Sequence, residues 1–354
     1  MKYKIIFLLL LAQLNVDAVA NYLVGAYYYA NWWQNPVPAG YLKSGVDWRA
    51  QYPQREPAIG WFDDEQCFVD QEIVLASMGG INFFAFDFYT DRPDQKPGSA
   101  ANLNNGLKFY MSSENKRLIN FVLVYMNTEA NKITDLAEWD IYTDLWVSYF
   151  QDPQYLKING KPVFIVNFGL PFRADWGGSS VAAKNALQIF RNKAIAAGFP
   201  DIIMGGGMPQ PSSGNINDAK NNLGYNFLTA YNADYRSLPA GPNNYNALLS
   251  ILPATWNLFK QYGLISYAPI TVQGYDKRPL GIGTDPYLIN KTPELFNQQL
   301  QLAKTFLDQN PSMWVEGQKM LMVNAWNEIG LDSMLTPLLS QGDIYLEQIE
   351  AVFS

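Results

Sequence analysis

The stretch Gly79-Gly80-Ile81-Asn82-Phe83-Phe84-Ala85-Phe86-Asp87-Phe88-Tyr89 carries the main clue to the fold of this chain. Residues 81–89 are almost continuously apolar, which is typical of a parallel β-strand that is buried on both faces. Residues 62–78 before it have helical periodicity, and the two glycines between leave only a short turn. The stretch therefore predicts a helix followed by a buried parallel strand, one unit of an α/β fold.

Similar apolar runs recur along the whole 354-residue chain. The eight predicted strands are residues 23–30, 81–89, 119–127, 162–168, 201–208, 226–232, 270–275 and 320–326. Helical segments lie between them; one begins at Thr292-Pro293, where Thr292 is a good N-cap and Pro293 suits the first turn. Eight strands that alternate with helices predict a single (β/α)8 barrel, an α/β fold of the TIM-barrel type. The alternative is a doubly wound open sheet. It is disfavoured because no glycine-rich dinucleotide-binding motif follows the first strand.

The predicted connections differ in length at the two ends of the strands. Turns from a helix to the next strand are mostly short, as at residues 79–80, 197–200 and 263–264. Segments that leave the strands are long and rich in aromatic and polar residues, above all residues 31–60 and 276–290. All strand-exit loops of a barrel lie on one face, where active sites are found. The sequence thus predicts a barrel whose long strand-exit loops form the functional face.

The first twenty residues have the features of a secretory signal peptide. Lys2 and Lys4 form a basic beginning, residues 5–12 are apolar, and Ala18-Val19-Ala20 matches a small-residue cleavage pattern. We expect residues 1–20 to be removed, which leaves a secreted, extracellular barrel domain of residues 21–354; the alternative is an uncleaved membrane anchor. The sequon Asn290-Lys291-Thr292 predicts N-glycosylation at Asn290 in a surface loop.

Composition limits the chemistry that this chain can use. The formal net charge of −7 argues against a nucleic acid or an anionic membrane as partner, and no later stretch is apolar enough to predict stable membrane insertion. The chain has no histidine and one cysteine, Cys67, which excludes Ser-His-Asp triads and histidine- or thiolate-based metal sites. We expect a monomer without metal or other cofactor, in which Cys67 is buried as a small apolar residue. Catalysis must then depend on carboxylates, tyrosines, asparagines or lysines.

Four carboxylates near the C-terminal ends of predicted strands are candidate catalytic residues. Asp87 interrupts an apolar strand, where a carboxylate is costly to bury without a partner; the alternative is that it braces a neighbouring strand. Glu129 follows the third strand and could equally be a solvated loop charge. Glu328 follows the last strand directly after Asn327, with Asp332 four residues later. Carboxyl pairs at a barrel mouth are typical of glycosidases, in which one donates a proton and the other acts as base or nucleophile.

Aromatic and amide side chains near the same strand ends are candidate sugar-binding residues. Aromatic rings stack on the C–H faces of sugars, and their polar groups bond the edges. Because side chains alternate along a strand, at least one of the tyrosines at positions 27–29 must face away from the barrel interior. The alternative to sugar binding is that these tyrosines fill barrel layers. The predicted substrate-binding residues here are Tyr27, Tyr29, Trp32, Asn127 and Asn327.

A series of motifs spans nearly the whole chain in an order shared with a known family. They are Gly25-Ala26-Tyr27-Tyr28-Tyr29, Arg55-Glu56-Pro57, Gly60-Trp61-Phe62-Asp63, Asp70-Gln71-Glu72-Ile73, residues 80–87, residues 149–163 (the most specific), Gly274-Tyr275-Asp276 and Asn324-Ala325-Trp326-Asn327-Glu328. In these segments the chain resembles the glycoside hydrolase family 99-like group, which includes WbsX-type glycosyltransferases. The resemblance implies a (β/α)8 barrel that acts on α-linked, mannose-type glycans without a metal. It also adds Tyr275 and Asp276 to the predicted substrate-binding residues.

The segment after the last strand departs from the family pattern. The hydrolases of the family carry Asn-Glu-Trp-x-Glu with two functional glutamates, whereas this chain has Asn327-Glu328-Ile329-Gly330-Leu331-Asp332. Glu328 matches the first glutamate, but Leu331 occupies the second position and Asp332 is one residue late. Another acid must take the second role, or catalysis has been lost. Three hypotheses follow: a secreted hydrolase of an oligosaccharide or polysaccharide, a glycan-binding barrel without catalysis, and a glycosyltransferase.

Overall fold

The computed structural model describes residues 22–33, 39–62, 65–90, 102–263, 265–281, 283 and 285–354. The signal peptide expected at residues 1–20 lies outside these residues. The core is one curled parallel sheet in the order β7-β6-β5-β4-β3-β2-β1-β9-β8. Its strands are β1 (Leu23–Tyr28), β2 (Phe83–Phe88), β3 (Asn120–Tyr125), β4 (Lys161–Val166), β5 (Ile203–Gly207), β6 (Phe227–Thr229), β7 (Ser266–Tyr267), β8 (Ile270–Val272) and β9 (Met320–Asn324).

The two edges of this sheet are joined by one short segment of chain. β7 pairs with β6, and β8, three residues further on, pairs with β9. Between them, the amide of Ala268 donates to the carbonyl of Leu228, and the amide of Met322 donates to the carbonyl of Pro269, both at 2.9 Å. The segment therefore fills the seventh strand position of the barrel. The predicted (β/α)8 fold is confirmed.

Helices cover the outside of the sheet. They are α1 (Gln66–Met78), α2 (Asn105–Ser112), α3 (Leu136–Phe150), α4 (Phe172–Asp175), α5 (Ser180–Ala196), α6 (Ser213–Asn217), α7 (Leu248–Tyr262), α8 (Pro293–Gln309) and α9 (Ile344–Phe353). The predicted start of α8 is confirmed, because the hydroxyl of Thr292 accepts a hydrogen bond from the amide of Leu295 and Pro293 occupies the first turn. No helix of the described part of the chain is both long and apolar enough to cross a membrane.

Short helices and short strands lie at the strand ends and in the loops. The 3₁₀ helices are Ala39–Tyr41, Arg49–Gln51, Pro53–Arg55, Lys116–Leu118, Tyr235–Ser237, Tyr245–Ala247, Arg278–Leu280, Pro311–Met313 and Ile329–Leu331, and Asp218–Leu223 is a π-helix. Two-residue strands pair Leu42–Lys43 with Val46–Asp47, Asn327–Glu328 with Ser333–Met334, and Lys157–Ile158 with β4. Gly241–Asn244 pairs with Pro286–Ile289 in parallel. Most of these elements belong to the strand-exit loops and give them a defined shape.

Side chains fill the interior of the barrel. Gly25 faces the ring of Phe83, and a Cβ built at Gly25 would lie 2.2 Å from that ring. Gly205 faces Phe227 in the same way, at 2.4 Å. Small and large residues thus complement each other in one layer, as barrel packing requires. The mouth of the barrel lies at the other end of the strands.

Two expectations about local structure are wrong. At all eight predicted strand positions the observed strand ends one to three residues before the predicted end, because the apolar runs continue into the exit loops after strand pairing stops. Cys67 is exposed, since it is the second residue of α1 and faces away from the buried side that carries Val69 and Ile73.

Candidate active site

Two carboxyl groups share one tyrosine hydroxyl at the mouth of the barrel. Asp87 is the fifth residue of β2, and Glu328 follows β9 by four residues. Tyr231 lies two residues beyond β6, which three strands separate from β2 in the sheet. Its hydroxyl is 2.9 Å from Asp87 Oδ2 and 2.6 Å from Glu328 Oε1. We refer to Asp87 and Glu328 as the carboxyl pair.

The hydroxyl of Tyr231 fixes the number of protons in this pair. A tyrosine hydroxyl has one proton, so it can donate only one of the two hydrogen bonds. The other bond requires a protonated carboxyl that donates to the hydroxyl oxygen. The two carboxyl oxygens cannot be farther apart than the sum of the two distances, about 5.5 Å, and two carboxylates at this spacing resist ionising together. The geometry therefore fits a pair that holds one proton.

Burial raises the pKa of both carboxyls. Only 3% of Asp87 and 7% of Glu328 is exposed. Burial and the neighbouring charge of Glu328 hold the pKa of Asp87 well above its ordinary value, although the bond with Tyr231 acts in the other direction. Burial also raises the pKa of Glu328 to about 7, against the lowering effects of Tyr231 and of the charge on Lys277. Both carboxyls of the pair thus have raised pKa values, which favours a proton held between them.

The second oxygen of Asp87 agrees with this protonation state. Asp87 Oδ1 is buried and has no hydrogen-bond partner among the described residues. An unpaired oxygen of a neutral carboxyl costs much less free energy than an unpaired oxygen of a carboxylate. The surroundings of Asp87 thus favour its protonated form.

Cavities flank the carboxyl pair on two sides. The cavity that we call the aromatic cavity has a volume of about 340 Å³, and its lining includes Glu328, Tyr29, Trp32 and Trp33. The central cavity has a volume of about 580 Å³ and is lined by Tyr231 and by polar residues of the loops after β6 and β8. Among them are Asn232, Asp234, Tyr235, Arg236 and Lys277. The bond between Tyr231 and Glu328 therefore joins a residue that lines the central cavity to one that lines the aromatic cavity.

Asn327 and Trp32 hold the walls of the aromatic cavity. The side-chain oxygen of Asn327 accepts from the amide of Tyr29 at 2.8 Å, and its carbonyl accepts from Trp32 Nε1 at 2.7 Å. Trp32 also packs against Tyr41 within a cluster of aromatic loop residues. Asn327 thus ties the exit of β1 to the exit of β9 and places Tyr29 and Trp32 beside Glu328. Of the predicted sugar-binding residues, Tyr29 and Trp32 line this cavity, and Tyr275 lines the central cavity.

Tyr27 and Tyr28 face opposite sides of β1, as the alternation of side chains requires. Tyr27 is buried in the barrel, packs against Tyr231 with the rings tilted at a centroid distance of 4.6 Å, and donates to the carbonyl of Ala230. Tyr27 therefore supports Tyr231 from within the barrel and lines neither cavity, and its predicted contact with a sugar stays a prediction. Tyr28 faces α1, where its hydroxyl donates to Glu72 at 2.5 Å.

Glu72 of α1 holds β1 and the segment after β9 together on the outer side of the barrel. Besides the hydroxyl of Tyr28, it accepts a hydrogen bond from Trp326 Nε1 at 2.9 Å. Burial raises the pKa of Glu72 to about 7 although both bonds act in the other direction. Trp326 lies two residues before Glu328, so Glu72 helps to fix the backbone that carries Glu328.

Asp276 and Asp332 belong to a separate ion-pair network. The buried Arg55 donates to Asp276 Oδ2 at 2.6 Å and lies 3.7 Å from Asp332 Oδ1. Lys291 pairs with Asp332 at 3.1 Å, and Arg278 pairs with Asp276 at 2.9 Å. Cations thus engage both side chains, and the predicted roles of Asp332 in catalysis and of Asp276 in sugar binding stay predictions. The ion pairs connect the exit loops of β1, β8 and β9.

This network predicts a large loss of stability when Arg55 is changed. Arg55→Met removes the shared cation and leaves Asp276 buried with one partner less, which should lower the free energy of unfolding by about 3–5 kcal/mol. Arg236→Met is the control, because Arg236 pairs with Asp234 at the surface and the loss of such a pair changes stability little. Urea unfolding of both variants measures the difference, and equal midpoints would disprove the structural role of Arg55.

Glu129 and Asn127 are placed apart from the carboxyl pair. The Glu129 side chain is 90% exposed and pairs with Lys132 at 2.7 Å, which fits the solvated loop charge. Asn127 accepts from the amide of Phe168 at 2.8 Å and donates to Asp175 at 2.9 Å. It therefore fastens the exit of β4 instead of lining either cavity that flanks the pair.

Three residues of the site were not identified from the sequence. Tyr231 and Lys277 lie beside the carboxyl pair, and Tyr235 stacks on the predicted Tyr275 at a centroid distance of 4.0 Å in the wall of the central cavity. Tyr231 stands at the end of a predicted strand, as Asp87 does, so its position was a usable signal. Lys277 and Tyr235 lie in exit loops, where the sequence gives no pattern.

No group of three or more acidic or cysteine side chains that could hold a metal ion is found among the described residues. The candidate site therefore consists of carboxyl, hydroxyl, amide, ammonium and aromatic groups.

Comparisons with known proteins give a family and a fold. A family model described as "Glycosyltransferase WbsX" matches residues 124–349, and no curated protein matches significantly. The structure is similar to a "Glycoside hydrolase-like protein", with 13% identity, a TM-score of 0.64 and coverage of 98% of both chains. It is also similar to a glycoside hydrolase family 99 endo-alpha-mannosidase from Bacteroides thetaiotaomicron, with 10% identity, a TM-score of 0.62 and coverage of 93% of this chain and 95% of that chain. At these identities the similarity to solved structures shows the fold.

Proposed function

The chain belongs to the WbsX glycosyltransferase family, and from this membership and its carboxyl pair we propose that it is a secreted glycosidase of α-linked, mannose-type glycans. The observation that supports this most strongly is the carboxyl pair joined by Tyr231, with raised pKa values on both carboxyls. A carboxyl that lines a cavity and has a pKa near 7 can act as the general acid in glycoside hydrolysis. In this chain the second carboxyl is Asp87, so Leu331 need not take part.

Glu328 is the carboxyl that contacts the sugar, because it lines the aromatic cavity, whereas Asp87 is almost completely buried and does not line this cavity. The oxygens of the pair are within about 5.5 Å, the spacing of retaining glycosidases. However, Asp87 reaches Glu328 only through Tyr231 and is almost completely buried. The pair therefore acts as one acid–base unit, and not as a separate acid and nucleophile.

The proposed reaction moves the single proton of the pair. Asp87 gives its proton to the oxygen of Tyr231 while Tyr231 passes its own proton to Glu328. Glu328 then protonates the glycosidic oxygen as the bond from that oxygen to the anomeric carbon breaks. A water molecule bonds to the anomeric carbon and returns a proton to the pair, which restores the starting state.

The remaining parts of the proposal come from the sequence. Secretion depends on the expected signal peptide at residues 1–20. Glycosylation at Asn290 stays a prediction, and the exposure of this residue is compatible with it. We also propose that the protein acts as a monomer and needs neither metal nor other cofactor.

Two other functions use the same cavities. In a glycosyltransferase, a sugar hydroxyl replaces water as acceptor, and the description of the family favours this alternative. In a glycan-binding barrel, the sugar binds without reaction. Incubation of the purified protein with α-linked mannotetraose, with and without a second sugar as acceptor, separates the three. New reducing ends indicate hydrolysis, longer products indicate transfer, and binding by calorimetry without either product would disprove the proposed glycosidase.

The pH dependence of hydrolysis should report the hydrogen bonds of Tyr231. The bond that Tyr231 donates to Glu328 lowers the pKa of Glu328, so Tyr231→Phe should raise this pKa, and it should also lower kcat because the proposed proton path passes through the hydroxyl. The limbs of the pH profile of kcat/KM report such ionisations, and the limb that belongs to Glu328 should move to higher pH. Tyr235→Phe is the matched control, since the hydroxyl of Tyr235 bonds to Asn232 and should not affect these limbs. A profile of Tyr231→Phe that coincides with the wild type would contradict the assignment.

A further inference from the structure

A third cavity opens beside the central cavity. This distal cavity lies between the exit loops of β4 and β5 and has a volume of about 580 Å³. Its lining is mostly apolar and includes Leu170, Pro171 and Met208. Polar groups come from Arg173 and Gln210. The central cavity, in contrast, has several charged and polar side chains.

The distal and central cavities form one groove. Phe168, Pro209 and Gln210 line both of them. Because the central cavity reaches Tyr231, and Tyr231 bonds to Glu328, the groove extends from the carboxyl pair to the loops after β4 and β5. A chain of linked sugars that occupies the central cavity beside Tyr231 can therefore continue into the distal cavity.

Phe168 stands at the boundary of the two cavities with 41% of its surface exposed. Its backbone is held firmly, because its amide donates to Asn127 Oδ1 and its carbonyl accepts from Asn127 Nδ2. Gly169 donates to the carbonyl of Gly207 at 3.0 Å, and a Cβ at Gly207 would lie 1.8 Å from the carbonyl oxygen of Asn167. The two loops thus touch at a place that only glycine permits, and the exposed ring is presented on a rigid base.

We infer that the distal cavity is a remote subsite for a further sugar of the same glycan, with Phe168 as its stacking platform. This inference rests on the proposed function, which places the glycan in the central cavity. The flat ring is suited to the C–H face of a pyranose. Gln210 lies beside it to bond sugar hydroxyl groups, and Arg173, which pairs with Asp218 at 3.2 Å, has further N–H groups for the same purpose. The occupant is therefore an oligosaccharide longer than the unit that spans the carboxyl pair.

Binding to a catalytically impaired protein tests this inference separately from turnover. In the Glu328→Gln background, calorimetry should give the affinities for α-linked mannobiose and mannotetraose. Phe168→Ala should weaken the binding of mannotetraose about 3–10-fold, the contribution of one aromatic stacking contact, and leave mannobiose unchanged. Phe168→Tyr should restore the affinity, because the ring is kept. Val181→Ala is the control, since Val181 is an exposed apolar residue of α5 that lines none of the three cavities.

The outcomes distinguish the two proposals. Equal affinity of mannotetraose with and without the Phe168 ring would overturn the distal subsite, and so would an equal loss for mannobiose. Absence of turnover by the wild type, together with a ring-dependent affinity for mannotetraose, would overturn the glycosidase and support the subsite. If neither saccharide binds, both proposals are wrong.

Discussion

Glu328→Gln should lower kcat for an α-linked mannooligosaccharide by about 10²–10⁴-fold, the usual contribution of general acid–base catalysis. Glutamine keeps the size of the side chain and can still bond to Tyr231, but it cannot give a proton to the glycosidic oxygen. The fold should be preserved, because Glu328 lies at the mouth and contributes little to the packed core. Initial rates at saturating substrate measure the effect.

Glu129→Gln is the matched control for this variant. It makes the same chemical change at a glutamate whose side chain is 90% exposed and paired with Lys132. Its kcat should equal that of the wild type. Full activity of Glu328→Gln would show that Glu328 is not part of the catalytic machinery, and a similar loss in both variants would point to a general effect.

Asp87→Asn should lower kcat by about 10²-fold or more with little change in KM. The amide of asparagine can donate to the oxygen of Tyr231, as protonated Asp87 does, so the hydrogen bonds persist. However, the pair then has no second carboxyl from which a proton can pass through Tyr231 to Glu328. KM should change little because Asp87 lines neither flanking cavity and is only 3% exposed. A raised KM with an unchanged kcat would instead assign Asp87 to substrate binding.

The alternative role of Asp87, a brace between strands, predicts a different result. In that case Asp87→Asn would lower the urea midpoint and leave kcat unchanged once the folded fraction is taken into account. Measuring stability and kcat on the same preparation therefore separates a proton-transfer role from a structural one.

Much of the fold follows from local patterns. Continuous apolar runs locate the buried parallel strands, and the N-cap at Thr292 locates a helix start, because burial on both faces and capping depend on neighbouring residues. The split strand that closes the barrel could not be predicted in the same way. Ser266–Tyr267 is too short for a recognisable pattern, and its pairing with β6 depends on the closure of the whole sheet.

The site was predictable in part for a similar reason. Asp87 and Glu328 stand at strand ends, which a barrel gathers at one mouth, so their proximity is expected from the fold. Tyr231 is 144 residues from Asp87 in the sequence, and only the packed barrel brings its hydroxyl to both carboxyls. The ion pairs of Asp332 and Asp276 with Arg55 could not be predicted from the sequence either, since Arg55 lies in a loop far from both in the chain. A carboxylate near a strand end can therefore be part of an ion pair as readily as part of a catalytic group.

The most direct measurement is hydrolysis of α-linked mannotetraose by the wild-type protein and by Glu328→Gln in water enriched in ¹⁸O. If the account is correct, the wild type releases shorter saccharides that carry one ¹⁸O atom at each new reducing end, and Glu328→Gln forms them at least about 10²-fold more slowly. If the wild type forms no labelled product, or both proteins form it at the same rate, hydrolysis by the carboxyl pair is contradicted.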